Sequence, residues 1–264
     1  MTTTETRAAD GRGADHYPNG PATDVWLVCL RELRPVLRDP VSVIFGLVQP
    51  LVFVGLFVPL LDGMSGGAFD LDWFVPGVLV MVALFSTAAT GSNLQFEMQT
   101  GAHERTLVAP VRRSALVVGR ALKEMVPLTL QACVLVTVAL PFGFTPAPLG
   151  AVAGLLVVAV FGVGFGALSY ALALAVRNQD WLFWTVQQAI VFPLMILSGM
   201  LLPLDGGPRW MQVLGAANPL SHVVEAQRAL FAGEFGADAA RGLLAAAAVA
   251  VVGLAVAVRA MRRG

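Results

Sequence analysis

EMQTGAHERTLVAPVRRSALVVGRALKE, residues 97–124, is the one strongly charged stretch inside an otherwise apolar chain. It sets Arg105, Arg112, Arg113, Arg120 and the sole lysine, Lys123, against Glu97, Glu104 and Glu124. Charge-free apolar runs flank it on both sides. A basic loop between two membrane helices is retained in the cytoplasm, so this loop fixes which way the chain faces. Its pattern predicts a short docking helix near 101–109, followed by an amphipathic lead-in to the next span.

Composition agrees with a membrane setting. Hydrophobic residues make up 57% and charged residues 13% of 264, far from the balance of soluble domains. Net charge is zero, which gives no reason to expect a nucleic-acid partner. Cys29 and Cys133 lie in a predicted inner helix and a predicted span, with neither a disulfide context nor metal-ligand spacing. Residues 1–23 are polar, unlike a signal peptide, and read as a disordered cytoplasmic tail ahead of one membrane domain over 24–264.

Outward from the charged stretch, six apolar segments emerge. Before the first, residues 24–39 place Trp26, Leu27, Leu30, Leu33 and Leu37 at helical spacing, with Arg31, Arg34 and Arg38 on another face. That is an interfacial amphipathic helix for the inner leaflet, each arginine drawing about 1 kcal/mol from anionic lipid. Spans follow at 40–61 and 73–96, each long enough for a hydrocarbon core of about 30 Å. The second has a polar inner half in which Ser86, Thr90, Asn93 and Glu97 share a face; they either line a wet path or bind helices together. Residues 125–176 carry no charge and must fold back at Pro141, Gly143, Pro146 and Pro148, giving spans 125–140 and 149–176. A fifth span, 181–202, holds Gln187 and Gln188. Beyond it Asn218-Pro219 starts a helix too short to cross, read as outer re-entrant, and 242–258 closes the set. Fourteen of the 17 basic residues then lie on one side, so both termini are expected in the cytoplasm.

The chemistry of the chain is narrow. No phosphate-binding G-x-x-x-x-G-K-[ST] loop is present, and no Asp, Glu, Lys, Arg or His falls within a predicted span. The second point counts against a proton-coupled carrier, the alternative to be weighed along with a channel. Ser198 and His222 raise an intramembrane hydrolase, but Ile196 and Met200 stand where a nucleophile elbow wants glycines. No enzyme activity, cofactor site or metal site is expected.

Particular pieces carry a family likeness: Arg38-Asp39-Pro40, FVPGVLVM at 74–81, GAHERTLVAPVRRSALVVGRAL at 101–122, PLMILSGMLLPL at 193–204, then Trp210, Asn218-Pro219, Arg228 and Gly233. In order and spacing they resemble the permease subunit of a type-two ABC exporter, of the daunorubicin-resistance and polysaccharide-exporter kind. The resemblance implies an all-α membrane protein with six transmembrane helices, an interfacial helix, a cytoplasmic coupling helix and an outer re-entrant segment. It implies a plasma membrane of bacterial type, a second permease copy, and two ABC ATPase subunits that carry the ATP and magnesium. Gly101, Glu104, Arg105, Leu107 and Pro110 would belong to the ATPase-coupling site. Thr90, Asn93, Gln187 and Gln188 are candidates for the translocation path, and the cargo would be amphipathic, drug-like or lipid-linked.

Overall fold

Proline at the first turn and an arginine in the last frame helix α1, Pro21–Arg38, which begins three residues ahead of the expected start. The computed structural model describes residues 20–38, 40–65, 70–107, 111–177 and 179–263, and among these no strand occurs. The expected tail over 1–23 therefore lies largely outside the described residues. After α1 come α2 (Pro40–Ser65), α3 (Leu71–Ala88), α4 (Thr90–Gln99), α5 (Ala102–Leu107), α6 (Arg113–Lys123) and α7 (Met125–Ala139). The turn at Leu140–Phe142 leads into α8 (Pro148–Ala175), α9 (Asp180–Ile196), α10 (Arg209–Ala217), α11 (Pro219–Phe231) and α12 (Ala237–Arg263).

Among the described residues, five helical stretches are long and apolar enough to cross a membrane: Gly46–Met64, Leu71–Gln99, Arg113–Phe142, Pro148–Ala175 and Ala237–Arg262. Two of them run past the apolar segments into charged sequence, because α3 continues as α4 and α6 as α7. Glu97, Arg120, Lys123 and Glu124 thus ride on the charged ends of these helices, the last three in the stretch expected as an amphipathic lead-in. The 181–202 segment yields α9, whose 17 residues reach roughly 26 Å.

Helix α3 is the centre. Phe74, Val75, Val78, Leu79, Met81, Ala83 and Leu84 are buried against α2, α7, α8 and α11. Lipid tails are as apolar as leucine, so burial alone does not drive this packing, and close van der Waals fit must do so. Small residues supply that fit where α8 meets α12: a Cβ on Gly253 would strike the backbone of Gly164. The outward faces stay apolar. Val48, Val52, Leu56 and Leu60 repeat along α2 every four residues, all exposed, a stripe suited to lipid.

Candidate functional site

The charged stretch folds around one glycine. Gly101 takes φ +68°, a left-handed conformation that favours glycine, and so turns the chain from α4 into α5. Arg105 secures the turn from the far side. Its Nε donates to Gly101 O at 3.2 Å and its Nη2 to Thr100 O at 3.3 Å, satisfying carbonyls at the end of α4. Glu104 and Arg105 point outward and are exposed, while His103 and Thr106 form the buried face. Burial pushes the His103 imidazole below its ordinary range, and the positive charges of Arg120 and Arg177 add to this against the pull of Glu104. The backbone of Leu107 ends α5; Pro110 lies outside the described residues.

Helix α1 lies beside this turn. Arg31 Nη2 donates to Thr106 Oγ1 at 3.4 Å, so one arginine expected at lipid reaches α5 instead. Arg34, Arg38 and Trp26 remain exposed, Trp26 at 62%. The packed face of α1 is formed by Val28 and Cys29, with Glu32 nearly covered, and Leu30 and Leu33 of the apolar side are half-buried. Trp26, Leu27 and Leu37 look outward, as an interfacial helix requires of its lipid face. Beneath, Arg120 Nη2 lies 3.3 Å from Glu32 Oε1 and 2.5 Å from Glu97 Oε2, and Lys123 Nζ is 3.7 Å from Glu32 Oε2.

At mid-depth the four path candidates part company. Gln187 is buried, and its Nε2 donates to Ala88 O at 2.8 Å. That carbonyl is freed by the break between α3 and α4, where Ser169 Oγ also lies 2.6 Å away. Gly91 N donates to the same hydroxyl at 3.1 Å. Thr90 is buried close by, whereas Asn93 and Gln188 are exposed. Gly91 and Ser169 were not singled out by sequence reading. Adjacent hydroxyls, Ser169 and Tyr170, in an otherwise apolar glycine-rich span were the available signal for Ser169.

The opposite end is built around Arg228 of α11. Its Nε donates to Trp73 O at 3.1 Å and its Nη2 to Gly199 O at 2.8 Å, and its guanidinium carbon stands 3.8 Å from the centroid of the Trp73 ring. Burial pushes this guanidinium down to about 10, against the pull of Glu225, which leaves it charged at neutral pH. Asn218 accepts from Leu220 N at 3.0 Å to cap α11 and donates to Leu194 O at 2.8 Å, pinning the helix to the end of α9.

Comparison with known proteins places this arrangement. The model of a family described as ABC-2 type transporter matches residues 23–232. The chain is 27% identical over 218 residues to a daunorubicin resistance ABC transporter permease protein of Streptomyces coeruleorubidus, covering 81% of this chain and 75% of that one. A putative transport permease of Pyropia yezoensis is 25% identical over 223 residues, covering 81% and 76%. Nodulation protein J of Rhizobium leguminosarum bv. viciae is 27% identical over 198 residues, covering 75% and 74%.

Proposed function

The chain belongs to the ABC-2 type transporter family and is a membrane permease subunit of an ABC exporter, and from that premise we propose how it is driven and what it moves. The family implies an ABC ATPase as partner. In our reading α5 is the coupling helix, with Gly101 setting its angle, Glu104 and Arg105 presented to a pocket on the ATPase, and Leu107 and Pro110 completing the contact. Two ATPase copies carry the ATP and magnesium, and a second copy of this chain completes the pathway. The observation that carries the reading is the exposed Glu104–Arg105 pair, held out by the Gly101 turn at the inner end of the central helix and braced by α1.

The membrane domain comprises residues 24–264 and crosses six times, with both termini in the cytoplasm of a bacterial-type cell. Helix α1 rests on the inner leaflet through Trp26 and its free arginines, and α11 is the outer re-entrant helix. Two ends of α9 support the sixth crossing. Asp180 at its start accepts from Gln99 Nε2 at 2.7 Å, beside α5, and Leu194 near its end meets Asn218 at the Arg228 side. The cargo is amphipathic, drug-like or lipid-linked, the daunorubicin-resistance and multidrug names of relatives supporting the drug-like reading. The cavity of about 560 Å³ between α2 and α7, lined by Leu51, Val54 and Phe142, suits apolar matter.

The test is Glu104→Arg. It adds positive charge to a cytoplasmic loop and so leaves orientation intact. Reversing one charge of a docked pair costs about 2–5 kcal/mol, enough to release the ATPase. Loss of the ATPase on copurification, with the permease still in the membrane, is expected. Wild-type copurification and ATP turnover would remove Glu104 from the contact.

A further inference from the structure

Arg120 stands where four helices converge. It is 5% exposed and belongs to α6. Its Nη2 reaches Glu32 of α1 at 3.3 Å and Glu97 of α4 at 2.5 Å. On its other side Nη1 donates to the Tyr170 hydroxyl of α8 at 3.5 Å, with the guanidinium carbon 5.6 Å from that ring. One planar fork therefore binds two carboxylates and one span, a task the point charge of a lysine cannot share.

Both carboxylates are tied to α5. Glu97 sits four residues ahead of the Gly101 turn, on the helix that ends in it. Glu32 follows Arg31, which holds Thr106 of α5. Any displacement of α5 thus arrives at Arg120 by two routes, through α4 and through α1. Without the guanidinium, Glu97 would lose its cation and Glu32 would keep only Lys123, 3.7 Å away, so the link between α1 and α4 would be lost.

Resting on the coupling role of α5 proposed above, we propose that Arg120 is a positioning residue of transport: it locks α1, α4 and α6 into one lever and passes the movement of α5 to α8 through Tyr170. Charge and fork each contribute to the lever, which separates it from a residue that merely fills space.

The experiment uses the full chain with its ATPase in nanodiscs. A single reporter, Asp205→Cys, lining the cavity it shares with Trp73, Gly199 and Arg228, is placed on a background carrying Cys29→Ala and Cys133→Ala. Its reaction rate with a charged maleimide is measured with and without ATP and vanadate, alongside ATP hydrolysis. With native Arg120 the rate should respond to nucleotide. Arg120→Gln should keep the ATPase bound and hydrolysing but shrink the response at least about fivefold, the lower range of coupling between sites. Arg120→Lys and Glu97→Gln should each retain part of it. An unchanged response in Arg120→Gln overturns the proposal while leaving the docking reading intact. Failure of the native chain to hold the ATPase overturns the docking reading first. If Arg120→Gln does not reach the membrane, the other two variants decide, and a full response in either sinks the lever.

Discussion

His103 carries an imidazole on the buried face of α5, where protonation would place a third positive charge near Arg120 and Arg177. The folded form therefore holds the ring neutral, at a value below the ordinary one near 6.5. The unfolded segment binds its proton first as pH falls, so the docked helix is fully stable above about pH 6.5 and loses stability below it. Hydrogen exchange over residues 101–107, corrected for intrinsic rates, should quicken between pH 7.5 and 5.5, and His103→Leu should flatten that dependence. An equal pH response in both proteins would show that His103 does not set it. Single residues were the least legible scale. Gln187 and Gln188 are neighbours of one type, yet one secures the Ala88 carbonyl and the other is exposed. A helix turns about 100° per residue, and sequence does not say which direction meets protein.

Helices were more legible than their faces. The apolar lengths give the crossing segments, the prolines near 141–148 mark a reversal, and Asn218-Pro219 marks a helix start that the structure caps as expected. On α1 hydrophobic periodicity finds an apolar side, and beside a bilayer that side can face lipid, where Trp26, Leu27 and Leu37 stay exposed. The inner contact of α1 depends instead on a gap in α6. A Cβ on Gly119 would come within 2.7 Å of Val28 Cγ1 and 2.9 Å of Val25 O. The methyl can shift, but the backbone oxygen cannot without moving α1. Gly119→Val should thus weaken the α1–α6 contact by about 1–3 kcal/mol, the usual cost of overpacking, beyond any gain in helix propensity. Proteolysis within residues 21–38 reports this directly: faster cutting in the variant is expected, and identical cutting would mean that α1 is held elsewhere. The Arg120 bridges were hidden for a related reason. Local spacing shows pairs three or four residues apart, whereas Glu32 and Arg120 meet only through the fold.

Across the whole molecule, the number of crossings decides on which side the last three arginines lie. Five crossings would place Arg259, Arg262 and Arg263 opposite the arginines of α1 and α5; six place all of them together. The outer charge count does not separate the two, because three of the 17 basic residues lie outside either way: Arg209, Arg228 and Arg241 with six crossings, Arg259, Arg262 and Arg263 with five. Helix α9 is the one in question, being about 4 Å short of a hydrocarbon core near 30 Å when its 17 residues are measured alone. Its contacts offset that deficit. It begins beside Gln99, at the inner end of the α3–α4 crossing, and the chain just past its end reaches Gly199, which Arg228 joins to Trp73 at the outer end of the same crossing. In the six-crossing arrangement proposed above, a helix that meets both ends of a 29-residue crossing traverses the same layer. Single cysteines on the Cys29→Ala, Cys133→Ala background resolve the matter. Asp70→Cys and Glu234→Cys should react with an impermeant maleimide on intact cells. Glu104→Cys and Arg262→Cys should react only after the membrane is opened. Labelling of Arg262→Cys from outside, with Glu104→Cys still protected, would make the crossings odd in number and return α9 to one side of the bilayer.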